Sequence, residues 1–323
     1  MNPVRYAVLV AAFALVAAAA ATAQSYPSRP VRLIVPFPPG GVTDLLARIT
    51  AEQLTRRLGQ QFVVENKPGA GGNIGAEQVA KAAPDGYSLV LLPSSNIVIN
   101  PHLYSKMGFD PFTDLAPVAL IADAPPVIAI PASLPANTLA EFIVLAKAKP
   151  GEFNYGSPGN GTPNHLYGDA FGRLSGVQMV HVPYKGAALA IADLATGRLQ
   201  FMSVAAMPQM PHVKAGSVRL LAAATERRLS VLPDISTAAE AGLPGYTFAT
   251  WFAIMAPAKT SSGIIATLNR HIQDAVNDPE MRKRFAAQAL EPLHGSPAEF
   301  AALIASDRVK WEKIVKDSGV KQE

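Results

Sequence analysis

Two glycine-rich segments carry the chemistry legible in this chain. The first, Phe37-Pro38-Pro39-Gly40-Gly41, follows an apolar run from Val31 to Pro36 and opens into helical spacing. A strand that ends in a glycine pair at a helix start leaves backbone N–H groups bare, with no Cβ to keep a small anion at a distance. The second, Gly156-Ser157-Pro158-Gly159-Asn160-Gly161-Thr162, holds three glycines and the Ser157 hydroxyl. Thr162 is a fitting N-cap, and Pro163 occupies the first helical position. His165 falls at the third helical position, close enough to the helix start to share an anion. Donors of this kind hold a ligand; they do not break bonds.

Further candidates surround these loops. Gly186 and Ala187 open a helix over 187–195 and are candidate pocket residues. Lys185, just before them, reads equally well as a ligand counter-ion and as a solvated surface charge. Asp44 lies in a first helical turn, where a carboxylate offsets the helix dipole; contact with a ligand or a bridging water is an equal reading. Ser94, Ser95 and Asn96 present small polar groups where a lobe-one strand ends. Gly69, Gly71 and Gly75 superficially match a dinucleotide fingerprint, but the last spacing is wrong and no acidic residue ends the next strand. That loop reads as a structural helix start.

Several function classes fall away. Gly-x-Ser-x-Gly, Walker and His-Glu-x-x-His motifs do not occur. The histidines at 102, 165, 181, 212, 271 and 294 are dispersed, without metal-ligand spacing, and there is no cysteine. Thiolate catalysis, disulfides and cysteine-ligated metals are therefore excluded, and no metal or cofactor is expected. The net charge of +4 is small, with no basic run longer than the three residues Arg282-Lys283-Arg284, so nucleic acid is not an expected partner. Trp251, Phe252, Phe300 and Trp311 read as core.

The leading residues have the form of an export signal: Arg5, an apolar stretch over 6–21, and the small residues Ala21-Thr22-Ala23. The expected mature start is Gln24. With no cysteine behind the apolar stretch, lipid attachment is not expected.

The elements that must position the candidates alternate between strand-like and helix-like runs, which predicts an α/β protein with mainly parallel sheets. Strands are expected at 31–36, 61–65 and 88–92, with helices opening at Val42 and Ile74. Near residue 123 the chain shifts into Asp123-Ala124-Pro125-Pro126 and a new strand at 127–130, the first crossing into a second lobe. Helices from Asn137 or Thr138 and from Thr162 alternate there with strands at 153–155, 179–182, 199–204 and 218–223. Gly197 and Gly216 sit where helix C-caps belong. Thr237-Ala238-Ala239-Glu240 and Ser296-Pro297-Ala298-Glu299 have capping-box form. A strand over 246–255 returns the chain to the first lobe, and helices follow at 264–276, 280–289 and 297–316. The expected division is lobe one at 24–123 and 248–323 and lobe two at 124–247.

The loop Arg32 to Asp44 resembles the first ligand loop of the Bug-type solute-binding proteins, the extracytoplasmic receptors of tripartite tricarboxylate transporters. The resemblance continues through Asn66-Lys67-Pro68-Gly69-Ala70-Gly71-Gly72, Tyr155 to His165, His181-Val182-Pro183-Tyr184-Lys185-Gly186, Glu240 to Tyr246, and Trp251. It implies a type II periplasmic-binding-protein-like fold with ligand between two lobes. It also implies that Gly161, Thr162 and His165 help to hold a carboxylate, within a pocket of Phe37, Pro39, Gly40, Gly41, Asp44, Ser94, Ser95, Ser157, Gly186, Ala187 and Ser203. Ala253 and Gln200 depart from the family's usual glycine and aspartate, and make the wall near Ser203 and Trp251 less predictable. The implied function is a periplasmic, monomeric receptor for a di- or tricarboxylate, acidic amino acid or aromatic carboxylate, partnered with the membrane subunits of a tripartite transporter. A sensory protein that delivers the same solute to a membrane sensor kinase would carry the same residues. A secreted hydrolase would need a nucleophile–base pair that the sequence does not offer.

Overall fold

The computed structural model describes residues 26–321. The leading segment and its cleavage position after Ala23 lie outside the described residues. In chain order the first lobe opens with β1 (Val31–Val35), α1 (Val42–Leu58), β2 (Phe62–Asn66), α2 (Asn73–Ala80), β3 (Ser88–Pro93), α3 (Asn100–Leu103) and β4 (Leu115–Asp123). The second lobe follows with β5 (Pro126–Pro131), α4 (Leu139–Lys147), β6 (Phe153–Ser157), α5 (Pro163–Ser175), β7 (Met179–Pro183), α6 (Ala187–Ala195), β8 (Met202–Ala205), α7 (Met210–Lys214) and β9 (Val218–Ala223). The chain then returns through β10 (Trp251–Pro257), α8 (Ser262–Val276), α9 (Pro279–Ala287), β11 (Glu291–Pro292) and α10 (Pro297–Ser318).

Local chemistry sets many of these boundaries. Helix α1 starts at Gly41 and stops at Gly59, whose left-handed φ of 69° only glycine adopts cheaply. Leu46 and Leu54 on its inner face are fully buried against the sheet, each worth about 1.5–3 kcal/mol relative to exposure. Thr138, Thr162 and Ser261 cap their helices with side-chain oxygens, and Ser296 closes a full capping box with Glu299. Thr237 and Glu240 also exchange both capping bonds, at 3.1 and 2.8 Å. Here the box closes only a turn, because Gly242 at φ 92° ends it at once.

The sheets are mixed rather than mainly parallel. In the first lobe the order is β11-β4-β10-β3-β1-β2, and only β1–β2 and β1–β3 pair in parallel. The returning strand β10 inserts antiparallel between β3 and β4, so the crossing of the chain between lobes imposes the reversed directions. In the second lobe β8-β5-β9 is antiparallel and β6-β7 is parallel. A bridge from Tyr155 to Phe201 joins the two pieces. Gln200 stitches the joint: its backbone N–H donates to Asn154 O at 2.9 Å, and its side-chain oxygen accepts from Asn154 N at 2.8 Å.

The expected return strand over 246–255 begins only at Trp251. Residues 246–250 bond to separate partners instead of a ladder: Phe248 N donates to Ala224 O at 2.8 Å and Thr250 N to the Asp123 carboxylate at 2.7 Å. Tyr246 and Phe248 pack their rings against each other, and Phe248 against Tyr167 and Trp311. Trp251, Phe252, Phe300 and Trp311 are all buried core residues, as expected. Ala253 is fully buried in β10 opposite Leu92 and Leu120. Helix α10 braces the crossover: Trp311 meets Tyr167 of α5, Lys310 Nζ donates to Thr247 O at 2.7 Å, and Asp307 accepts from Trp251 Nε1 at 2.7 Å. Among the described residues no helix is long and apolar enough to cross a membrane.

Candidate functional site

Strand register fixes where the site lies. Val35 pairs with Asn66 and Phe252 with Pro93, so the loops after β1, β2 and β3 leave one edge of the first sheet. Trp251 pairs with Asp123 at that same edge, where the chain crosses to the second lobe and returns. In the second lobe Ser157 pairs with Pro183, and Pro126 with Ala205. The loops after β6 and β7 therefore share an edge with the crossover strand β5. Each sheet turns its carboxyl edge toward the crossovers, where ligands of open α/β sheets bind.

On the first-lobe side Gly40 takes φ 92° and Gly41 is the N-cap of α1, with no side chain to satisfy the first-turn amides. Phe37 is half-buried, while Pro39, Gly40 and Gly41 are exposed. Asp44 is fastened to the turn it follows. Its carboxylate is buried and accepts four hydrogen bonds: from Gly40 N at 3.0 Å, Arg48 Nε at 2.9 Å, Arg48 Nη2 at 3.0 Å and Asn66 Nδ2 at 2.9 Å. Asn66 Nδ2 also donates to Phe37 O at 3.0 Å, so this carboxylate ties down both ends of the glycine turn. The Arg48 guanidinium above all, helped by Asn66 and the Gly40 amide, holds the Asp44 carboxyl at about 2.

Ser94 is buried and Ser95 half-exposed at the turn that ends β3. Next to it, Asn96 Nδ2 donates to Gly71 O at 2.8 Å, and Asn100 Nδ2 to Asn73 Oδ1 at 2.8 Å. A Cβ on Gly72 would lie 2.9 Å from the Phe37 ring and 2.7 Å from Asn96 Nδ2. The Gly69–Gly72 segment is thus pressed against the first ligand loop. It is a wall beside the candidate site as well as a helix start.

On the second-lobe side the turn closes around one carbonyl. Gly159 O accepts from Ser157 Oγ at 2.9 Å and Thr162 Oγ1 at 2.8 Å. Ser157 is fully buried and supports the turn from inside. Gly159 at φ 151° and Gly161 at φ 68° occupy backbone regions that favour glycine. Thr162 caps α5, and the His165 Nδ1 accepts from Gly161 N at 3.2 Å. His165 stacks face to face on His181, with centroids 3.7 Å apart. Burial lowers the pKa of both rings, and that of His181 falls to about 4 with His165 beside it. Gly186, at φ 121°, opens α6 without a side-chain cap, beside the half-buried Ala187 and the exposed Lys185. Ser203 is buried within β8, and its carbonyl accepts from Asn164 Nδ2 at 2.8 Å.

The register therefore brings Phe37, Pro39, Gly40, Gly41, Ser94 and Ser95 to one edge, and Gly161, Thr162, His165, Gly186 and Ala187 to the other. Asp44, Ser157 and Ser203 are buried. Sequence reasoning passed over Asn66, Asn73 and His181 as site residues. The sequence signal for His181 is its place in the segment His181–Gly186 that carries the resemblance; its neighbourhood comes from the β6–β7 register, in which it pairs with Tyr155. Among the described residues no cluster of His, Asp and Glu could hold a metal ion. A groove of about 530 Å³ lies toward the opposite edge of the first sheet, lined by Phe112, Met255, Ile304 and Arg308. None of the glycine-lined helix starts lines it, and the crossover edges remain the better candidate.

Comparison with known proteins identifies the family. The sequence model of the tripartite tricarboxylate transporter family receptor matches residues 46–320. Protein BugT of Bordetella pertussis is similar over its length, 36% identical across 99% of each chain. Rpa4515 of R. palustris, solved with adipate, is 36% identical with a TM-score of 0.81, over 92% of this chain and 99% of that one. MatC of Rhodopseudomonas palustris, solved with bound malate, is 30% identical with a TM-score of 0.76, over 90% and 100%. The chain belongs to the tripartite tricarboxylate transporter receptor family, whose members are solute-binding receptors and not enzymes.

Proposed function

We propose that this protein is a periplasmic receptor that binds a small carboxylated solute between its lobes and delivers it to the membrane subunits of a tripartite transporter. The observation that carries this reading is that each side of the crossovers presents glycine-lined helix starts, Gly41 on one and Thr162 and Gly186 on the other. First-turn amides without a side-chain cap at Gly41 and Gly186, and the helix dipoles, favour negative charge on a compact solute. The relatives solved with adipate and malate support a dicarboxylate among the classes considered. Acidic amino acids and aromatic carboxylates present the same group.

In this reading residues 24–123 and 248–323 form one lobe and 124–247 the other, and they close about the two crossovers. Rigid loops supply preorganised donors, and closure adds the second set and selects one lobe arrangement. The protein works as a monomer, exported with residues 1–23 removed, so its intact mass corresponds to a start at Gln24. The direct test is mass spectrometry of the small molecule released when the freshly purified protein is unfolded. A carboxylic acid is expected; a sugar, an amine or a peptide would overturn the reading.

A further inference from the structure

The histidine pair carries a consequence beyond the carboxylate reading on which it rests. His165 is placed by two contacts: Gly161 N donates to its Nδ1 at 3.2 Å, and the His181 ring covers its face at 3.7 Å with an interplanar angle of 6°. An acceptor nitrogen carries no proton, so the neutral His165 ring must carry its proton on Nε2. His181 is fixed in turn. Its Nε2 lies 2.7 Å from Ser157 Oγ, and that hydroxyl already donates to Gly159 O at 2.9 Å. With its single proton used, Ser157 accepts from His181, which places the His181 proton on Nε2 as well.

The titratable side chains described near the pair are engaged elsewhere. Tyr155 of β6 lies against His181 at 4.9 Å and against His165 at 6.2 Å. Asp169 and Arg173 of α5 pair with each other near Tyr155. Past β7, the Tyr184 hydroxyl is bound to Asp193 at 2.8 Å. The rings face an apolar and aromatic surround that disfavours charge on either.

We propose that His181 is a positioning residue of the carboxylate site: by stacking on His165 and anchoring to Ser157, it locks His165 in one orientation and one tautomer, so that His165 offers an N–H donor to the solute carboxylate. Without the covering ring, His165 can turn over or exchange its proton between nitrogens. An Nε2 without a proton would then repel a carboxylate by lone-pair contact. His181 thus acts on the solute through His165, as the outer partner of a metal-bound histidine acts through its ligand.

The test uses the full mature chain and adipate as the probe. Nitrogen-15 spectra of the histidine side chains of the ligand-free protein are expected to show one tautomer, Nε2–H, for both rings. His181→Ala is expected to leave His165 as a mixture of tautomers and to weaken adipate binding at least tenfold by calorimetric titration. His181→Phe, which restores a flat ring over His165, is expected to recover the single tautomer and most of the affinity. Retention of a pure Nε2–H form of His165 in His181→Ala would overturn the proposal, as would an Nδ1–H form in the native chain. If His181→Ala fails to fold, the native spectra and the His181→Phe spectra decide the same question. Absence of adipate binding by the native chain would count against a dicarboxylate of that length, and the spectra would still settle the role of His181.

Discussion

Asp123 accepts the backbone N–H of Thr250 at 2.7 Å, so the residue at which the chain leaves the first lobe holds the residue at which it returns. The two crossovers are thereby one hydrogen-bonded unit. The Asp123 carboxyl is enclosed, with Glu291 and Asp307 nearby. Burial, above all, pushes it up to about 7 against the hydrogen bonds from Thr250 and Ala124.

A pH dependence follows, with a definite sign. Between about pH 4 and 7 the folded chain keeps a proton on Asp123 that the unfolded chain has released, so this residue lowers stability as pH rises through that window. Asp123→Asn keeps an oxygen to accept from Thr250 and removes the charge. Relative to the native chain, the variant should gain stability as pH rises from 5 to 8, which urea unfolding at the two pH values measures. Parallel pH profiles for the two chains would show that Asp123 does not titrate in this range.

The glycine turn should tolerate a side chain structurally and fail functionally. A Cβ on Gly41 meets nothing within 4 Å, and its φ of −81° is ordinary for any residue. Gly41→Val should leave the far-UV circular dichroism unchanged and abolish carboxylate binding in a calorimetric titration. Native affinity in this variant would remove the turn from the site.

Asp44→Ala should do the reverse: disorder the turn from behind. It strips Gly40 N, Asn66 and Arg48 of their shared acceptor, and leaving such groups unpaired costs about 1–3 kcal/mol. The native carboxyl sits near 2, so its contribution is fully present above about pH 4 and fades as pH falls toward 2. Denaturant midpoints at pH 7 should fall in the variant, and solute affinity with them. An unchanged midpoint would mean that the turn holds itself.

Trp311 is the keystone of the brace across the crossover, buried against Tyr167 of α5 and against Phe248. Trp311→Ala should cost about 3–5 kcal/mol, read as a lowered urea midpoint. A loss below about 1 kcal/mol would show that α10 does not couple the lobes.

Local signals were legible and long-range partnerships were not. Thr162 with Pro163, the Ser296 box and the glycines at 40, 41 and 186 announce themselves, because capping and positive φ depend on neighbours within four residues. The role of Asp44 needed Asn66, which lies 22 residues on. His165 needed His181, brought beneath it only by the parallel β6–β7 pairing. The strand β4 escaped notice because its run, Leu115–Asp123, is apolar on both faces and contains Pro117. The mixed sheet direction followed from the insertion of β10 between β3 and β4, a fact of the second crossing that no local pattern encodes.

The central claim is that the cleft recognises carboxylate groups by backbone and neutral donors. The most direct measurement is the melting temperature of protein unfolded and refolded to remove bound solute, with adipate, malate, citrate, aspartate and an aromatic acid each compared with its neutral ester or amide. A solute that binds only the folded chain stabilises it by about 2.7 kcal/mol at a hundredfold excess over Kd, a shift of several degrees at roughly 2–4 °C per kcal/mol. The account predicts such a shift for at least one carboxylate and none for its neutral analogue. Equal shifts from acid and ester, or a shift from a sugar or amine with none from any acid, would contradict it.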